Sequence, residues 1–471
     1  MGVSGRFRRR WPARLGLALA CIALTTGATS GASGERPPDR TLRVLASNPR
    51  YFTNGSGRAV YLTGSHVWWN LAGNATWDFC LRQPAAPFSY DAYLGDLARH
   101  GHNFIRLWAY ELMRWDSCGT IASVDLHLWR RTGPGLALDG KPRFDLRQFN
   151  PAYFTRLRDR VRRAERRGIY VSVMLFEGWA VQFEEEGWGW RGNPFNPANN
   201  VNGIDADRNG DGSGREVHTL SVPAVTAVQD TYVRKVIDTV NPYDNVLYEI
   251  ANESHLASIP WQYRMIDLVK SYERRKPKRH PVGMTYVHAD FANTSLLKSR
   301  ADWISPYGSD WLDQPPPADG RKVVLLDSDH LCGVCGGYDF VWKSFLRGHN
   351  PIYMDPFDSH PDRLAARRAM GAARKVARAV DLAKLRPRVE LASTGYVLAR
   401  PGVEYVVFQP GAEPFWLDVG RGGTYRGVWT NARDGRERPF GPRRLAGRAE
   451  LTAPWREPAV LRLRRWTRPP R

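Results

Sequence analysis

The sequence lacks any run of about 18 apolar residues, the length that a membrane-spanning helix needs. A polytopic membrane protein is therefore excluded. The hydrophobic content of 42%, with 18 tryptophans, is sufficient for the large buried core of a globular protein. Acidic residues are also scarce, since 47 Asp and Glu stand against 68 Lys and Arg and leave a net charge of +21. No RNA-binding signature, zinc-finger spacing or compact basic arm accompanies this charge. We therefore expect no nucleic-acid partner and favour an acidic polysaccharide or an anionic envelope surface.

The first 32 residues are predicted to be a signal peptide. Five arginines within Arg6–Arg14 precede a short apolar stretch, Leu15–Ala28, and small residues follow it. This stretch is too short for a membrane anchor, so we expect a secreted or extracytoplasmic (periplasmic or cell-surface) protein. Arg8-Arg9 leaves twin-arginine export open, and Cys21 leaves lipidation open. Cleavage would remove five arginines and no acids, which lowers the net charge from +21 to +16.

Cysteine is rare, and four cysteines remain after cleavage: Cys80, Cys118, Cys332 and Cys335. An even number in an oxidising compartment favours disulfides. We expect Cys80–Cys118 and Cys332–Cys335, although four cysteines allow three pairings. The Cys332-Gly-Val-Cys335 spacing does not open a helix after a thioredoxin-type strand, which argues against a redox motif. No second such pair and no His pair stands near, which argues against zinc.

A tether and lead-in at 33–57 precede a region, 58–384, in which short β-branched runs alternate with longer amphipathic segments. The predicted strands are 59–63, 103–108, 169–176, 246–250, 281–286, 302–305, 323–326 and 351–354, and the predicted helices are 90–100, 151–167, 223–240, 261–274, 340–347 and 361–382. Eight strands alternating with helices indicate an α/β fold of the (β/α)8 TIM-barrel type. The rival, a doubly wound sheet, lacks its Gly-rich phosphate loop after the first strand.

Helical periodicity is absent from 385–471, where Gly- and Pro-containing turns separate short strands. The predicted strands are 389–392, 395–399, 403–409, 415–419, 425–429, 448–452 and 459–463. This segment is predicted to be a small all-β sandwich domain.

Carboxylates follow two of the predicted barrel strands, at the face where barrel enzymes carry their active sites. Strand four runs into Asn252-Glu253, a pair that can hold an acid over a bound sugar; a helix-capping Asn with a solvated Glu is the alternative. Strand seven ends in Asp327-Ser-Asp329-His330, and strand alternation puts both aspartates on one face. Two carboxylates across a barrel mouth suit glycoside hydrolysis. We favour Asp327 as nucleophile, with Asp329 as the second choice. The alternative for Asp329 is an Asx-type turn or a partner that orients His330.

Three groups of sequence motifs resemble known families. Tyr-Glu-Ile-Ala-Asn-Glu at 248–253 is similar to the acid/base signature of clan A glycoside hydrolases, which implies that Glu253 is the acid/base. Leu-Thr-Gly-Ser-His at 62–66 with Trp-Trp-Asn at 68–70, and the segments 342–345 and 350–356, resemble the apiosidase-like barrels of that clan. The segments 397–399 and 404–408 resemble the collagen-binding-type β-sandwich domain that often follows those barrels. At strand seven most of the clan has Glu, whereas this chain offers only Asp.

Several further side chains are placed by strand ends as candidates for substrate contact. Arg106 is equally a candidate for orienting carboxylates inside the barrel, and each tryptophan could stack on a sugar or belong to the core. Tyr307 resembles the clan's aromatic residue that hydrogen-bonds the nucleophile. The candidates are Asn252, His66, Trp68, Trp69, Arg106, Trp108, Glu177, Trp179, His288, Tyr307 and His330.

The segment after strand three fits the pattern D-x-[DN]-x-[DN]-G-x5-E, in which oxygen side chains can wrap a calcium ion and Gly210 supplies the bend. Its candidate ligands are Asp205, Asp207, Asn209, Asp211 and Glu216. No helix ends just before the loop, so a paired EF-hand is not expected. A lone calcium loop and an ordinary polar turn both remain open, and catalysis requires no cofactor.

Together these features predict a secreted, monomeric glycoside hydrolase, retaining in mechanism, acting on a plant or microbial polysaccharide or oligosaccharide. The alternative is a non-catalytic carbohydrate- or matrix-binding protein built on a degenerate barrel.

Overall fold

The computed structural model describes residues 40–72, 88–117, 120–124, 126–182 and 189–466. The predicted signal peptide, Cys21, Cys80 and Cys118 lie outside the described residues. Two short strands, Arg43–Val44 and Phe52–Thr53, pair antiparallel before the first barrel strand.

Eight parallel strands confirm the predicted barrel. They are β1 Gly64–His66, β2 Phe104–Leu107, β3 Tyr170–Glu177, β4 Val246–Asn252, β5 Val282–Thr285, β6 Trp303–Ser305, β7 Val323–Asp327 and β8 Asn350–Met354. Hydrogen bonds join them in the order β1-β8-β7-β6-β5-β4-β3-β2. Every residue of these strands is buried, because helices cover the outside and side chains fill the inside.

Strands β1 and β2 are the two ends of this strand order, and hydrogen bonds connect the chain segments just before them. The Thr63 amide donates to the Asn103 side chain, and the Asn103 amide donates to the Thr63 carbonyl, each at 3.0 Å. Gly64 permits this approach, since a Cβ there would lie 2.1 Å from the carbonyl oxygen of Phe104. The first barrel strand therefore begins at Gly64 rather than at 59–63, where Val60 instead forms an isolated bridge with Phe52.

Nine α-helices are present in the described part of the chain. They are α1 Tyr90–Arg99, α2 Pro151–Glu165, α3 Trp179–Gln182, α4 Pro223–Val240, α5 Ile259–Glu273, α6 Thr294–Lys298, α7 Asp329–Cys332, α8 Tyr338–Leu346 and α9 Pro361–Ala379. Helix α2 shows how the sequence specifies them: Asn150 caps its start, Pro151 occupies the first turn, and Phe154, Leu157 and Val161 form its buried stripe. None of the helices described is both long and apolar enough to span a membrane.

The C-terminal strands form a sandwich. Its strands are β9 Arg386–Pro387, β10 Val397–Arg400, β11 Glu404–Gln409, β12 Phe415–Asp418, β13 Gly423–Asn431, β14 Glu437–Leu445, β15 Arg448–Leu451 and β16 Ala459–Arg465. Six of them pair in the order β9-β10-β11-β16-β13-β14, and β12 pairs with β15. The predicted strand at 389–392 is wrong, because Val389–Leu391 forms a 3-10 turn.

Strand β11 joins the sandwich to the barrel, because its two faces pack into the two different cores. Tyr405 and Val407 point into the sandwich core, whereas Val406 and Phe408 belong to the core cluster of the barrel. On the barrel side, the Trp342 indole stacks on Phe408 and donates to the carbonyl of Ala432 at 2.8 Å.

Between β2 and α2 the chain forms two hairpins that periodicity did not predict, Arg114–Ser117 with Thr120–Ser123 and Trp129–Leu136 with Pro142–Phe149.

Candidate active site

A cavity of about 460 Å³ opens where the barrel strands end. Ten of the predicted site residues line it: Trp68, Trp108, Glu177, Trp179, Asn252, Glu253, His288, Tyr307, Asp329 and His330. The structure adds eight more: Tyr110, Tyr286, Phe291, Leu331, Cys332, Gly333, Val334 and Met354. The lining combines aromatic walls with the three carboxyl groups of Glu177, Glu253 and Asp329, a composition typical of a ligand site.

Arg106 lies beneath this cavity and is only 2% exposed. Its guanidinium donates to both oxygens of Glu249 at 2.6 and 3.0 Å, to Asp327 at 3.1 Å and to Asp329 at 2.7 Å. It also donates to the Asn252 side-chain oxygen at 2.6 Å. One buried cation thus holds three carboxylates, so Arg106 orients the acids rather than lining the cavity.

Asp327 is fully buried and is not among the residues that line the cavity. His66 Nε2 donates to it at 2.9–3.0 Å, and the Trp108 indole N–H donates to His66 Nδ1 at 3.2 Å, which fixes the tautomer of the imidazole. Although burial opposes ionisation, His66 and Arg106 hold the pKa of Asp327 well below its usual value. Asp327 is therefore a buried carboxylate with a lowered pKa, held by His66 and Arg106 outside the cavity lining.

Asp329 begins helix α7, faces the cavity, and has one oxygen, Oδ2, bonded to Arg106. Its backbone amide donates to Asp327 at 3.1 Å, which ties it to the end of β7. Burial, together with the charge of Asp327, raises the pKa of Asp329 above its usual value against the opposing pull of Arg106.

Glu253 follows the last residue of β4 with a positive φ of 43°, in the left-handed region that costs a non-glycine residue energy. The side chain of Gln182, at the end of α3, donates to the Glu253 carbonyl and holds this turn. Burial raises the pKa of Glu253 well above its usual value, and the nearby charge of Asp329 raises it further. The turn thus delivers a carboxyl with a raised pKa to a cavity shared with Asp329.

The amide of Asn252 is oriented by two donors to its oxygen. Besides Arg106, His330 Nε2 lies 3.1 Å from that oxygen, while Ser305 lies 2.7 Å from His330 Nδ1. Burial lowers the pKa of His330 to about 3, so the imidazole is neutral and its Nε2 carries the proton. The amide nitrogen of Asn252 is consequently the group available as a donor towards the cavity and Glu177.

Glu177, the last residue of β3, is a third carboxylate at the cavity. Its two oxygens accept the amides of Trp179 and Ala180 at 2.8 and 3.0 Å. Burial raises the pKa of Glu177 to about 7, and the charge of the neighbouring Glu111 contributes to this rise. Glu111 accepts the Glu177 amide at 2.9 Å and is itself 2% exposed.

The remaining predicted contact residues divide between wall and core. Trp69, at φ 63°, packs on Tyr110 at 4.4 Å and is absent from the cavity lining. His66, Arg106 and Trp69 therefore support the wall from behind rather than contact a ligand in the cavity. These side chains are buried because some residues near the strand ends point into the barrel interior and others point towards the cavity.

The predicted Cys332–Cys335 disulfide is present and closes the turn that follows Asp329. Cys332 itself lines the cavity.

In the predicted calcium loop, carboxylate oxygens of Asp207, Asp211 and Glu216 lie within 4.8 Å of one another. Glu216 Oε2 is buried without a hydrogen-bond partner in the part of the chain described, which fits a cation as its partner. Asp205 instead caps the amide of Asp207 at 3.0 Å, and Asn209 bonds to Asp211. Three of the five predicted ligands thus converge, and the calcium hypothesis stays a prediction.

Sequence reasoning missed Glu249, Glu111, Gln182 and Tyr286. Glu249 had a detectable signal, since it lies within the apolar run of β4, where an isolated carboxylate needs a buried cation. Gln182 and Glu111 act through contacts 71 and 66 residues away along the chain, which local patterns do not reveal.

Two family models match parts of the sequence. A model described as the apiosidase-like catalytic domain matches residues 46–203, and one described as a domain of unknown function (DUF6298) matches residues 126–299. No curated protein matches the sequence.

Two solved structures are similar over nearly the whole chain. A glycoside hydrolase of family 5 from Bacteroides vulgatus covers 92% of this chain and 95% of its own, with 12% identity and a TM-score of 0.59. A structure described as a glycoside hydrolase covers 92% of this chain and 98% of its own, with 12% identity and a TM-score of 0.57. The chain therefore shares the barrel fold of these proteins. The collagen-binding resemblance of the C-terminal domain stays a prediction.

Proposed function

We propose that the protein is a retaining glycoside hydrolase in which Glu253 is the acid/base and Asp329 the nucleophile. The observation that carries the proposal is that these two carboxyl groups, delivered by the ends of β4 and β7, line one aromatic-walled cavity. The apiosidase-like family match and the similar glycoside hydrolase structures support it.

Asp329 is a better nucleophile candidate than Asp327, which the sequence favours. Asp327 is fully buried, bonded to His66 and Arg106, and would have to break both contacts to reach a sugar. Asp329 faces the cavity, and Arg106 engages only its Oδ2 in the described contacts. A short Asp can serve here because α7 starts at Asp329 and carries its backbone to the cavity wall.

The reaction then proceeds in two displacements. Asp329 Oδ1 attacks the anomeric carbon while Glu253 gives its proton to the departing oxygen, so the glycosidic bond breaks as the glycosyl ester forms. Glu253, now a carboxylate, takes a proton from water, whose oxygen attacks the anomeric carbon and releases Asp329. The amide nitrogen of Asn252 donates to a sugar hydroxyl beside the reacting carbon, and Arg106 holds the nucleophile in place.

We further propose that the protein is exported and acts, as a monomer, on an oligosaccharide or polysaccharide, including acidic ones. The apolar leader supports export, and the net charge of +21, which falls to +16 after loss of five leader arginines, supports an acidic substrate.

The test is hydrolysis of a panel of aryl glycosides and pectic polysaccharides by the wild type and three variants. Glu253→Gln should lower turnover of an unactivated glycoside by about 10²–10⁴-fold. Azide should rescue Asp329→Gly with formation of a glycosyl azide of inverted configuration, because azide replaces the nucleophile. In Glu253→Ala the azide adduct should have retained configuration.

Glu413→Gln, an exposed residue of the C-terminal domain, is the matched control for charge removal. If Asp327→Gly is rescued by azide and Asp329→Gly is not, the nucleophile is Asp327. If the wild type turns over no glycoside and Glu253→Gln behaves as the wild type, the non-catalytic binding protein is the correct interpretation.

A further inference from the structure

A second cavity of about 350 Å³ adjoins the catalytic one. Phe291, Tyr307, Gly308, Ser309, Asp310 and Trp311 line it. Phe291 and Tyr307 line both cavities, so the two cavities are direct neighbours. We name the surface formed by Phe291, Tyr307 and Trp311 the aromatic platform.

Phe291 is 64% exposed at the rim of the catalytic cavity. Single exposed apolar side chains are common on protein surfaces, but Phe291 stands beside a second aromatic ring at the rim of a cavity. Its ring lies 5.7 Å from that of Tyr307, which in turn stacks on Tyr286 at 4.7 Å. Aromatic faces therefore continue from the catalytic cavity onto the platform.

The platform is pre-organised by backbone contacts. The Asn293 side chain donates to the Tyr307 carbonyl at 2.8 Å and accepts the Tyr307 amide at 2.9 Å, which ties Tyr307 to the loop that carries Phe291. Trp311 lies flat on Gly308, where a Cβ would come within 2.1 Å of the indole. It also stacks on His349 at 6.3 Å, so its ring needs little ordering when a ligand binds.

Sugar rings present flat C–H faces bordered by hydroxyl groups. The platform offers three aromatic rings bordered by Ser309 and Asp310, both exposed, as hydrogen-bonding groups. On this basis we infer that the substrate is an oligosaccharide chain whose further sugar units stack on Phe291, Tyr307 and Trp311 next to the catalytic cavity. This inference rests on the proposed function for the identity of the ligand.

The experiment measures binding separately from catalysis. Di- to hexasaccharides of the sugar whose aryl glycoside is hydrolysed, or galacturono- and cello-oligosaccharides if none is, are titrated calorimetrically into the Glu253→Gln protein. Affinity should rise with chain length. When Phe291→Ala or Trp311→Ala is added to the Glu253→Gln protein, its affinity for the hexasaccharide should fall by about tenfold. The effect on its affinity for the disaccharide should be clearly smaller. Phe291 is too exposed for its truncation to disturb folding, and it covers the case in which Trp311→Ala does not fold.

Two matched controls bracket these variants. Leu136→Ala removes an equally exposed apolar side chain, 63% exposed, in a hairpin that contributes to neither cavity. Leu256→Ala, at 50% exposure, probes a different neighbouring cavity that shares His288 with the catalytic one.

Affinity that does not grow with chain length would overturn the inference. Equal losses for disaccharide and hexasaccharide in Phe291→Ala would do the same, as would a length-dependent loss only in Leu256→Ala. Length-dependent binding in a wild type without turnover would refute the proposed catalysis and leave the platform supported.

Discussion

Glu177→Gln should make the stability of the protein less dependent on pH. In the folded protein burial raises the pKa of Glu177 to about 7, compared with 4.5 for an exposed glutamate. Between these values the folded state binds more protons than the unfolded state, so wild-type stability falls as pH rises through this window. A difference of roughly 2.5 pKa units corresponds to about 3 kcal/mol.

The variant also has a cost that does not depend on pH. The carboxylate accepts the amides of Trp179 and Ala180 through separate oxygens, whereas glutamine has only one acceptor oxygen. Leaving one buried amide unpaired costs about 1–3 kcal/mol. We therefore expect Glu177→Gln to be less stable than the wild type at pH 4.5 and equally or more stable at pH 8.

Urea unfolding of both proteins across this pH range, followed by tryptophan fluorescence, measures the difference directly. Comparing the variant with the wild type at each pH cancels the contributions of all other titrating groups, and Glu413→Gln reports the effect of removing an exposed carboxylate. If the stability curves of the wild type and Glu177→Gln run parallel from pH 4.5 to pH 8, Glu177 is ionised in the folded protein and the reasoning fails.

Three further predictions concern the site and its supports. If Asp329 is the nucleophile and Glu253 the acid, the kcat/KM profile should be bell-shaped, with both limbs above the ordinary carboxylate range because both pKa values are raised. Limbs near the ordinary values would contradict this. Reducing the Cys332–Cys335 disulfide should raise KM several-fold because Cys332 lines the cavity, and the Cys332→Ser/Cys335→Ser double variant should show the raised KM already and not respond to dithiothreitol. Calcium added to EDTA-treated protein should raise Tm by about 2 °C or more, an effect that Asp211→Asn should abolish; an unchanged Tm would favour an ordinary polar turn.

Periodicity predicted most of the barrel because helices and buried strands carry their pattern locally. Helix α4 was predicted at its observed bounds, 223–240, from its Pro start and its apolar spacing. Strand β14, Glu437–Leu445, was missed because its charged and proline residues show no alternation and most of them are exposed, as expected at a sheet edge. The hairpin strand Trp129–Leu136 was missed because it too shows no alternation, with only one buried residue in eight.

The sequence by itself determined the barrel, the C-terminal sandwich, and the placement of Asn252-Glu253 and Asp327-Ser-Asp329 at strand ends. Strand position follows from local patterns, and every strand end of a barrel lies at the same face. Only the tertiary structure decided which of the two aspartates lies at the cavity. Their positions depend on Arg106 and His66, which come from β2 and β1 and lie 221 and 261 residues from Asp327 along the chain. Burial and ion pairing across the barrel, rather than any neighbour in sequence, leave Asp327 outside the cavity lining and Asp329 at the cavity.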